Sequence, residues 1–251
     1  MAGELAGKVA LITGAGYGIG RAFALGFGAA GASVLATDIL EENAERTAEA
    51  IRRAGGQAGS RRLDVSKRAE VEAAVQAAVE RFGRLDIMIN NAGIFPRAAA
   101  LELDDATWDA VLSVNLKGTF LCSQAAARVM VEQGEGGRIV NLASRSAYQF
   151  SPRGTHYAAS KAGIVAFTRN LAVELAPFKI TANAIAPGLT DTAQPRYGMT
   201  DEEIAAAGDS VPLGRIAQPE DIVPIALFLC GPGGAYITGQ VHHVNGGSFM
   251  P

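Results

Sequence analysis

A tyrosine and a lysine four residues apart, Tyr157 and Lys161, are the pair in this sequence best suited to acid–base chemistry. They fall in an apolar segment predicted to be helical over about residues 154–176, so both side chains should lie on one helix face. A neighbouring cation favours phenolate, and lowering a phenol pKa from ~10 to about 7 requires roughly 4 kcal/mol. The alternative is that the two residues are neighbours on a helix without a joint role.

Short apolar segments alternate with longer amphipathic ones along the chain, which predicts strands alternating with helices. The predicted strands span residues 9–13, 33–37, 58–63, 85–89, 138–142, 180–186 and 240–244. The predicted helices span residues 18–30, 41–54, 67–82, 104 to about 133, 154–176 and 219–229. This order is typical of βαβ units, so we predict one α/β domain over residues 1–251, a single doubly wound (Rossmann-like) parallel sheet with helices on both faces.

We expect a ligand at the carboxyl ends of the strands, where open parallel sheets bind their ligands. After the first predicted strand, the stretch from Thr13 to Gly20 has the spacing T-G-x-x-x-G-x-G. Its glycines let the backbone approach a pyrophosphate at the N-terminus of the next helix; an ordinary tight turn is the alternative. Asp38 follows the second strand and could bind adenosine ribose hydroxyls, cap the next helix, or do both.

Polar residues also follow the third, fourth and fifth predicted strands. Asp64 and Val65 follow the third, where they could contact an adenine or begin the next helix. Residues 90–93, Asn-Asn-Ala-Gly, follow the fourth strand, and asparagines there also favour a plain structural turn. Ser144 follows the fifth strand, thirteen residues before Tyr157, and so can return across a loop to the same cleft.

Two further features complete the pattern. Asn115 interrupts an apolar helical segment, where a polar side chain must find partners inside the protein. Pro187 and Gly188 follow the sixth strand and open a longer irregular stretch, residues 189–212, in which we expect substrate to bind. In their order and spacing, these motifs together resemble the short-chain dehydrogenase/reductase family, in its compact single-domain branch, over nearly the whole chain.

The resemblance implies catalytic roles for Asn115, Ser144, Tyr157 and Lys161. Tyr157 would be the general acid in carbonyl reduction and the general base in alcohol oxidation, with Lys161 lowering its pKa and holding the nicotinamide ribose. Ser144 would stabilise charge on the substrate oxygen, and Asn115 would support a water that links Lys161 to solvent. Thr192 would contact the nicotinamide carboxamide, with Thr190 as the alternative. The full expected cofactor-binding set is Gly14, Tyr17, Gly18, Ile19, Gly20, Asp38, Asp64, Val65, Asn91, Ala92, Gly93, Tyr157, Lys161, Pro187, Gly188, Thr190 and Thr192.

Composition argues against several other classes of function. The net charge is −3 and no basic cluster is long enough to follow a phosphate backbone, so we expect no nucleic-acid partner. No apolar run approaches membrane-spanning length, and the chain shows no targeting signal, so we expect a soluble cytoplasmic protein. Cys122 and Cys230 lack metal-ligand spacing, and His242 and His243 alternate across a predicted strand, so we expect no metal.

The predicted function is hydride transfer between NAD(H) and a secondary alcohol/ketone pair of the polyol, sugar or cyclic alcohol class. NAD is favoured because Asp38 would repel a 2′-phosphate, and because Tyr17 and Ile39 supply no cation to hold one. One alternative is an enzyme like the 3-oxoacyl-[acyl-carrier-protein] reductases of this family, although the acidic residues before the fifth strand match a basic carrier-docking surface poorly. An alternative of another class is a catalytically silent nucleotide-binding scaffold.

The resemblance implies that segments 94–99, 145–154 and 189–212 shape the substrate pocket and determine substrate specificity. They contain four arginines, Arg97, Arg145, Arg153 and Arg196. If two or more of these point into the pocket, we expect a small substrate with an anionic group; a solvated rim is the alternative. The apolar run at residues 224–230 and the apolar face of the Tyr157 helix also predict a homotetramer.

Overall fold

The computed structural model describes residues 3–251, which form one seven-stranded parallel sheet in the order β3-β2-β1-β4-β5-β6-β7. The strands are β1 Val9–Thr13, β2 Ser33–Asp38, β3 Ala58–Arg62, β4 Ile87–Asn90, β5 Gly137–Leu142, β6 Ile180–Pro187 and β7 Val241–Val244. All seven correspond to predicted strands, and the strand order reverses between β1 and β4. That reversal creates the crevice in which doubly wound sheets bind their ligands.

Residues 3–251 contain nine α-helices, several of which pack on the two faces of the sheet: α1 Gly18–Ala29, α2 Glu41–Arg53, α3 Arg68–Phe82, α4 Asp105–Val111, α5 Gly118–Gln133, α6 Thr155–Leu175, α7 Ala193–Arg196, α8 Asp201–Asp209 and α9 Pro219–Cys230. The predicted doubly wound α/β fold is therefore confirmed. No helix within this range is both long and apolar enough to cross a membrane.

The core forms two layers because successive side chains of a strand point to opposite faces. In β1, Ala10 and Ile12 pack under α1 and α9, in the layer that contains Phe23 and Phe27. Val9 and the other alternating residues of β1 pack under α3 and α5. Every residue of β1 is buried, as expected for a strand covered on both faces.

The predicted helix over residues 104–133 is helical throughout but not uniform. Asp104 caps its N-terminus, accepting a hydrogen bond from the backbone N–H of Thr107 at 2.6 Å. Between α4 and α5, residues Leu112–Lys117 form a π-helical segment, which contains Asn115. Such segments are rare and occur frequently at functional sites.

The stretch 189–212, predicted to be irregular, contains two helices, α7 and α8. Helix α8 begins with a capping box. The Thr200 side chain accepts from the Glu203 N–H at 3.2 Å, and the Glu203 side chain accepts from the Thr200 N–H at 2.8 Å. The T-x-x-E pattern that signals this cap is present in the sequence, so the helix could have been predicted from it.

Candidate active site

Helix α6 carries Tyr157 and Lys161 on one face, as predicted, at the carboxyl end of the sheet. Both side chains are buried, with 8% and 4% of their surfaces exposed. Lys161 Nζ lies 5.5 Å from the centroid of the Tyr157 ring and donates a hydrogen bond to the backbone carbonyl of Leu142 at 2.6 Å. Because Leu142 is the last residue of β5, this bond fixes the ammonium at the end of the sheet.

Burial dominates the electrostatics of this pair. It raises the pKa of Tyr157, a rise that the side chains of Gln194 and Ser144 oppose. It also lowers the pKa of Lys161 to about 8, because the ammonium is removed from water. The expected lowering of the phenol pKa is therefore not produced by the protein alone. It requires further positive charge near the hydroxyl.

Ser144 follows β5 and caps a short turn, Arg145–Ala147. Its Oγ accepts a hydrogen bond from the backbone N–H of Ser146 at 3.1 Å. This bond uses an acceptor site of the hydroxyl and leaves its proton available for another acceptor. The Ser144 O–H is thus suited to donate to a substrate oxygen, as the resemblance implied.

Asn115 connects helix α6 to the loop that follows β4. Its side chain exchanges two hydrogen bonds with the backbone of Ile94, at 2.8 and 3.0 Å, and donates a third to Ser160 Oγ at 3.1 Å. Ser160 Oγ in turn donates to the backbone carbonyl of Tyr157 at 2.7 Å. Asn115 thereby fixes the first turns of α6, and a role in supporting a water remains a prediction.

Backbone conformation and close packing both require glycine at several positions of the glycine loop, Thr13 to Gly20. Gly14 and Gly18 have φ of +62° and +52°, which other residues rarely adopt. A Cβ on Gly20 would lie 2.0 Å from the Gly14 carbonyl oxygen, and one on Gly16 would lie 2.8 Å from Asp38 Oδ2. The loop and the N-terminus of α1 are therefore packed too tightly for side chains.

These contacts fit a nicotinamide dinucleotide. Helix α1 has no side-chain cap and no acidic residue in its first turn, so its N-terminal N–H groups remain available to a pyrophosphate. Asp38 accepts from Gly16 N–H at 3.0 Å and Leu40 N–H at 3.1 Å, and its carboxylate retains capacity to accept from ribose hydroxyls. Asp38 thus holds the loop as well as lying where the ribose is expected.

The turn after β4 is attached to the glycine loop through hydrogen bonds. Thr13 Oγ1 accepts from the backbone N–H groups of Asn91 and Ala92, both at 3.1 Å. The Asn91 side chain donates to the carbonyls of Thr13 and Gly14 at 3.0 and 3.1 Å. Part of the function of this turn is therefore to hold the loop in place.

A cavity of about 480 Å³ brings many of the predicted residues together. Those lining it are Ile19, Asn91, Gly93, Ser144, Tyr157, Lys161, Pro187, Gly188, Thr190 and Thr192. The remaining predicted cofactor residues lie outside its lining: Gly14, Tyr17, Gly18, Gly20, Asp38, Asp64, Val65 and Ala92. The Asp64 carboxylate accepts from Ser66 N–H at 3.0 Å and Ser66 O–H at 2.6 Å. The alternative that Asp64 caps the next helix is wrong, because the N-cap residue of α3 is Lys67 and that helix has no side-chain cap.

Three side chains at the site were not singled out by the sequence. Phe95 stacks on the Tyr157 ring, with centroids 4.2 Å apart, and Gln194 approaches the Tyr157 hydroxyl from α7. Arg46 on α2 hydrogen-bonds to Tyr17 Oη at 3.3 Å, beside the glycine loop. Arg46 lies eight residues beyond Asp38 in sequence, and only the packing of α2 shows that this cation reaches the loop.

The histidines occupy structural positions. His156 is fully buried and its Nε2 lies 2.8 Å from the Pro96 carbonyl oxygen. His243 packs on Tyr148 and Phe249, with ring centroids 4.9 and 5.2 Å away. Within residues 3–251, no three His, Cys, Asp or Glu side chains form a group that could hold a metal ion.

Comparison with known proteins places the whole chain among related enzymes. The sequence model of the family described as enoyl-(acyl carrier protein) reductase matches residues 14–248. The chain is 43% identical to short-chain reductase protein NovJ of Streptomyces niveus, covering 96% of this chain and 93% of the relative. It is 39% identical to 3-oxoacyl-[acyl-carrier-protein] reductase FabG of Thermotoga maritima, covering 97% and 98% of the two chains.

A third relative and a solved structure extend the comparison. Galactitol 2-dehydrogenase of Agrobacterium fabrum is 39% identical, and the alignment covers 98% of this chain and 99% of the relative. The crystal structure of a short-chain type dehydrogenase/reductase from Mycobacterium marinum superimposes with a TM-score of 0.94 at 35% identity, covering 98% of this chain and 97% of the other. The likeness therefore includes both sequence and fold over nearly the full length.

Proposed function

The chain belongs to the short-chain dehydrogenase/reductase family, an oxidoreductase family, and on that premise we propose that it interconverts a secondary alcohol and its ketone with NAD(H). The observation that carries this proposal is one shared cavity. It is lined by Tyr157, Lys161 and Ser144 on one side and by Ile19 of the glycine loop on the other. Acid–base groups and a dinucleotide cradle therefore open into the same space.

When bound, a nicotinamide cofactor supplies or accepts the hydride. The N-terminus of α1 would hold its pyrophosphate and Asp38 its adenosine ribose. Thr192 lies against the glycine loop, its Cγ2 3.0 Å from the position of a Cβ on Gly18. That proximity supports the expected role of Thr192 at the carboxamide.

The side chains perform the proton transfer. In reduction, Tyr157 donates its hydroxyl proton to the substrate oxygen while Ser144 donates a hydrogen bond to the same oxygen. In oxidation, Tyr157 accepts that proton. Lys161, held by the Leu142 carbonyl, stabilises the phenolate electrostatically.

The preference for NAD(H) rests on the Asp38 carboxylate. A 2′-phosphate about 4 Å away would be repelled by ~4 kcal/mol at an effective dielectric of 20. Arg46, which reaches Tyr17 beside the loop, offsets part of this repulsion because its charge is opposite. We therefore propose a preference for NAD(H) of at least roughly tenfold, below the thousandfold that the carboxylate alone would give. Alcohol oxidation is the proposed physiological direction.

A second candidate is reduction of 3-oxoacyl groups carried on an acyl carrier protein, since the relative from Thermotoga maritima bears that name. The surface before β5 argues against it, because Glu132 and Glu135 are exposed there and Glu135 pairs with Arg84 at 2.7 Å. Phe178, in the turn before β6, adds exposed apolar surface rather than positive charge. Higher turnover of a 3-oxoacyl thioester on the carrier than of every free alcohol or ketone would establish this candidate.

We also propose a homotetramer. The rings of Phe120 in α5 and Phe167 in α6 pack edge to face, with their centroids 6.2 Å apart, and both line a hollow on the outer surface. Phe228 of α9 is 46% exposed and Tyr236 is fully exposed, on another part of the surface. Contiguous exposed apolar surface of this kind favours an interface with another copy of the chain. Light scattering at micromolar concentration should give four times the chain mass, and a monomer would contradict this.

The central test is a panel of secondary alcohols, polyols and cyclic ketones, with nicotinamide absorbance recorded for each cofactor. Turnover of at least one member that depends on Tyr157 supports the proposal. If calorimetry shows nucleotide binding but neither a member of this panel nor a hydroxy or oxo acid is turned over, the silent scaffold of the other class is supported instead. The presence of all four expected catalytic residues in the folded site argues against that outcome.

A further inference from the structure

Two of the four arginines in the pocket segments, Arg97 and Arg145, line the cavity that contains Tyr157. The other two are engaged elsewhere. Arg153 pairs with Glu102 at 3.5 Å, and Arg196 pairs with Asp191 at 2.8 Å. The structure therefore shows which two of the four arginines, Arg97 and Arg145, border the cavity; the sequence alone did not distinguish them.

Arg145 carries an unmatched charge. Its side chain is half-buried, and within residues 3–251 its guanidinium has neither a hydrogen bond nor an ion pair. Burial lowers the pKa of Arg145, because the charged form loses solvation. A guanidinium offers five N–H donors, and a partly desolvated charge without a partner is costly. This arginine directly follows Ser144, the proposed contact to the substrate oxygen.

Arg97 is also incompletely matched. Its guanidinium carbon lies 5.3 Å from the centroid of the Phe95 ring, on which Tyr157 also stacks. One terminal nitrogen reaches the Gly198 carbonyl at 3.4 Å, while the buried Nε has no hydrogen-bond partner in the described part of the chain. Tyr157, Phe95 and Arg97 thus form a continuous wall that leads from the proton donor to a cation.

The negative charge available in the cavity does not balance these groups. Among residues 3–251, Glu203 is the single acidic side chain in the lining, and it already accepts from the Thr200 N–H in the capping box of α8. Two arginines and Lys161 therefore face one occupied carboxylate. Apart from Lys161, one positive charge remains uncompensated, which suits a monoanion.

We propose that Arg145 and Arg97 bind a carboxylate of the substrate, so that the preferred substrate is a short hydroxy acid or oxo acid rather than a neutral alcohol or polyol. The guanidinium fork matches a planar carboxylate in two parallel hydrogen bonds. This inference rests on the proposed alcohol–ketone chemistry and narrows its substrate class.

The test compares secondary hydroxy acids of increasing chain length with their primary amides, which have a similar shape but no charge. Hydrogen bonds to charged groups predict that kcat/KM for the best acid exceeds that for its amide by about ten- to a hundredfold. Arg145→Met and Arg97→Met should each remove most of that advantage through KM, so that kcat/KM falls much further for the acid than for the amide. Arg145→Lys should restore part of it, because the charge returns without the planar fork.

Arg153→Met is the matched control, since Arg153 lies in the same loop but outside the cavity lining, and it should retain the wild-type preference for the acid. Equal use of acid and amide by the wild type would overturn the inference while leaving the alcohol–ketone proposal intact. So would an equal loss of both substrates in Arg145→Met.

Calorimetry on the protein with saturating NAD separates this inference from the reaction itself. If no acid or amide in the series is turned over, binding still tests the carboxylate site independently of the reaction. Tighter binding of the acid than of its amide, lost in Arg145→Met, supports the site even then. Equal binding of the two by wild type and variant refutes it.

Discussion

The two halves of the cleft are constructed differently. On the cofactor side, backbone groups of the glycine loop and of the turn after β4 are held by hydrogen bonds of 3.0–3.1 Å that involve Thr13, Asn91 and Asp38. On the substrate side, the lining comes from three separate segments whose side chains include unmatched cations. The cofactor half is therefore specified mainly by close backbone contacts, and the substrate half mainly by the charge and size of individual side chains.

The largest expected effect is on turnover, and it comes from a substitution at Tyr157, where the two halves of the cleft meet. Tyr157→Phe removes the proton donor but preserves the stacked ring, so turnover should fall by ~10²–10⁴. Nucleotide affinity, measured by calorimetry, should change little, because the cofactor half is untouched. A variant that keeps more than about a tenth of wild-type turnover would show that another group transfers the proton.

The next effect changes the cofactor half alone. Asp38→Ala should shrink the NAD(H) preference in kcat/KM by at least about tenfold, mainly by improving use of NADP(H), because the repulsive carboxylate is gone. Arg46→Leu should have the opposite effect and increase the preference for NAD(H), because it removes the positive charge that offsets the repulsion by Asp38. The measurement is kcat/KM with each cofactor on one substrate. Equal or better use of NADP(H) by the wild type would invalidate the assignment.

A third prediction concerns the buried ammonium between the two halves. The pKa of Lys161 is about 8 in the folded chain, below its ordinary value of 10.5, so the folded state binds fewer protons between these values. Stability from this group should therefore rise with pH from about 8 to 10.5, by up to about 1.4 kcal/mol per unit of pKa difference.

The contribution of Lys161 is isolated by measuring the free energy of unfolding in urea across that pH range for the wild type and for Lys161→Met. The difference in unfolding free energy between wild type and variant should shift in favour of the wild type as pH rises. A flat difference would mean that the ammonium is better solvated than its burial indicates.

The smallest effect is confined to the substrate half. Thr200→Ala removes one side of the capping box of α8 and should cost about 0.5–2 kcal/mol locally. Because α8 carries Glu203 and borders the cavity, the substrate KM should rise while nucleotide affinity stays constant. Thr200→Ser retains the cap and is the control. A parallel loss of cofactor affinity would show that the two halves are coupled.

The same contrast explains what could be predicted from the sequence. Strands, the flanking helices and the Tyr157–Lys161 pair follow from local periodicity and spacing, and the structure confirms their positions. The partners of Arg97 and Arg153, which are Gly198 and Glu102, lie far away in sequence and could not be read from local spacing. Gln194 and Arg46 went unnoticed for the same reason, since each reaches the site only through the packing of its helix.

The π-helical segment at Leu112–Lys117 has a consequence for insertions and deletions. A segment of this kind accommodates one residue more than the α-helix around it, and each helical residue corresponds to about 100° of rotation. Deleting a single residue there would restore a regular helix, but it would turn Asn115 away from Ile94 and Ser160 or rotate the buried face of α5 out of the core. The chain should therefore tolerate most side-chain changes in this segment better than a change in its length.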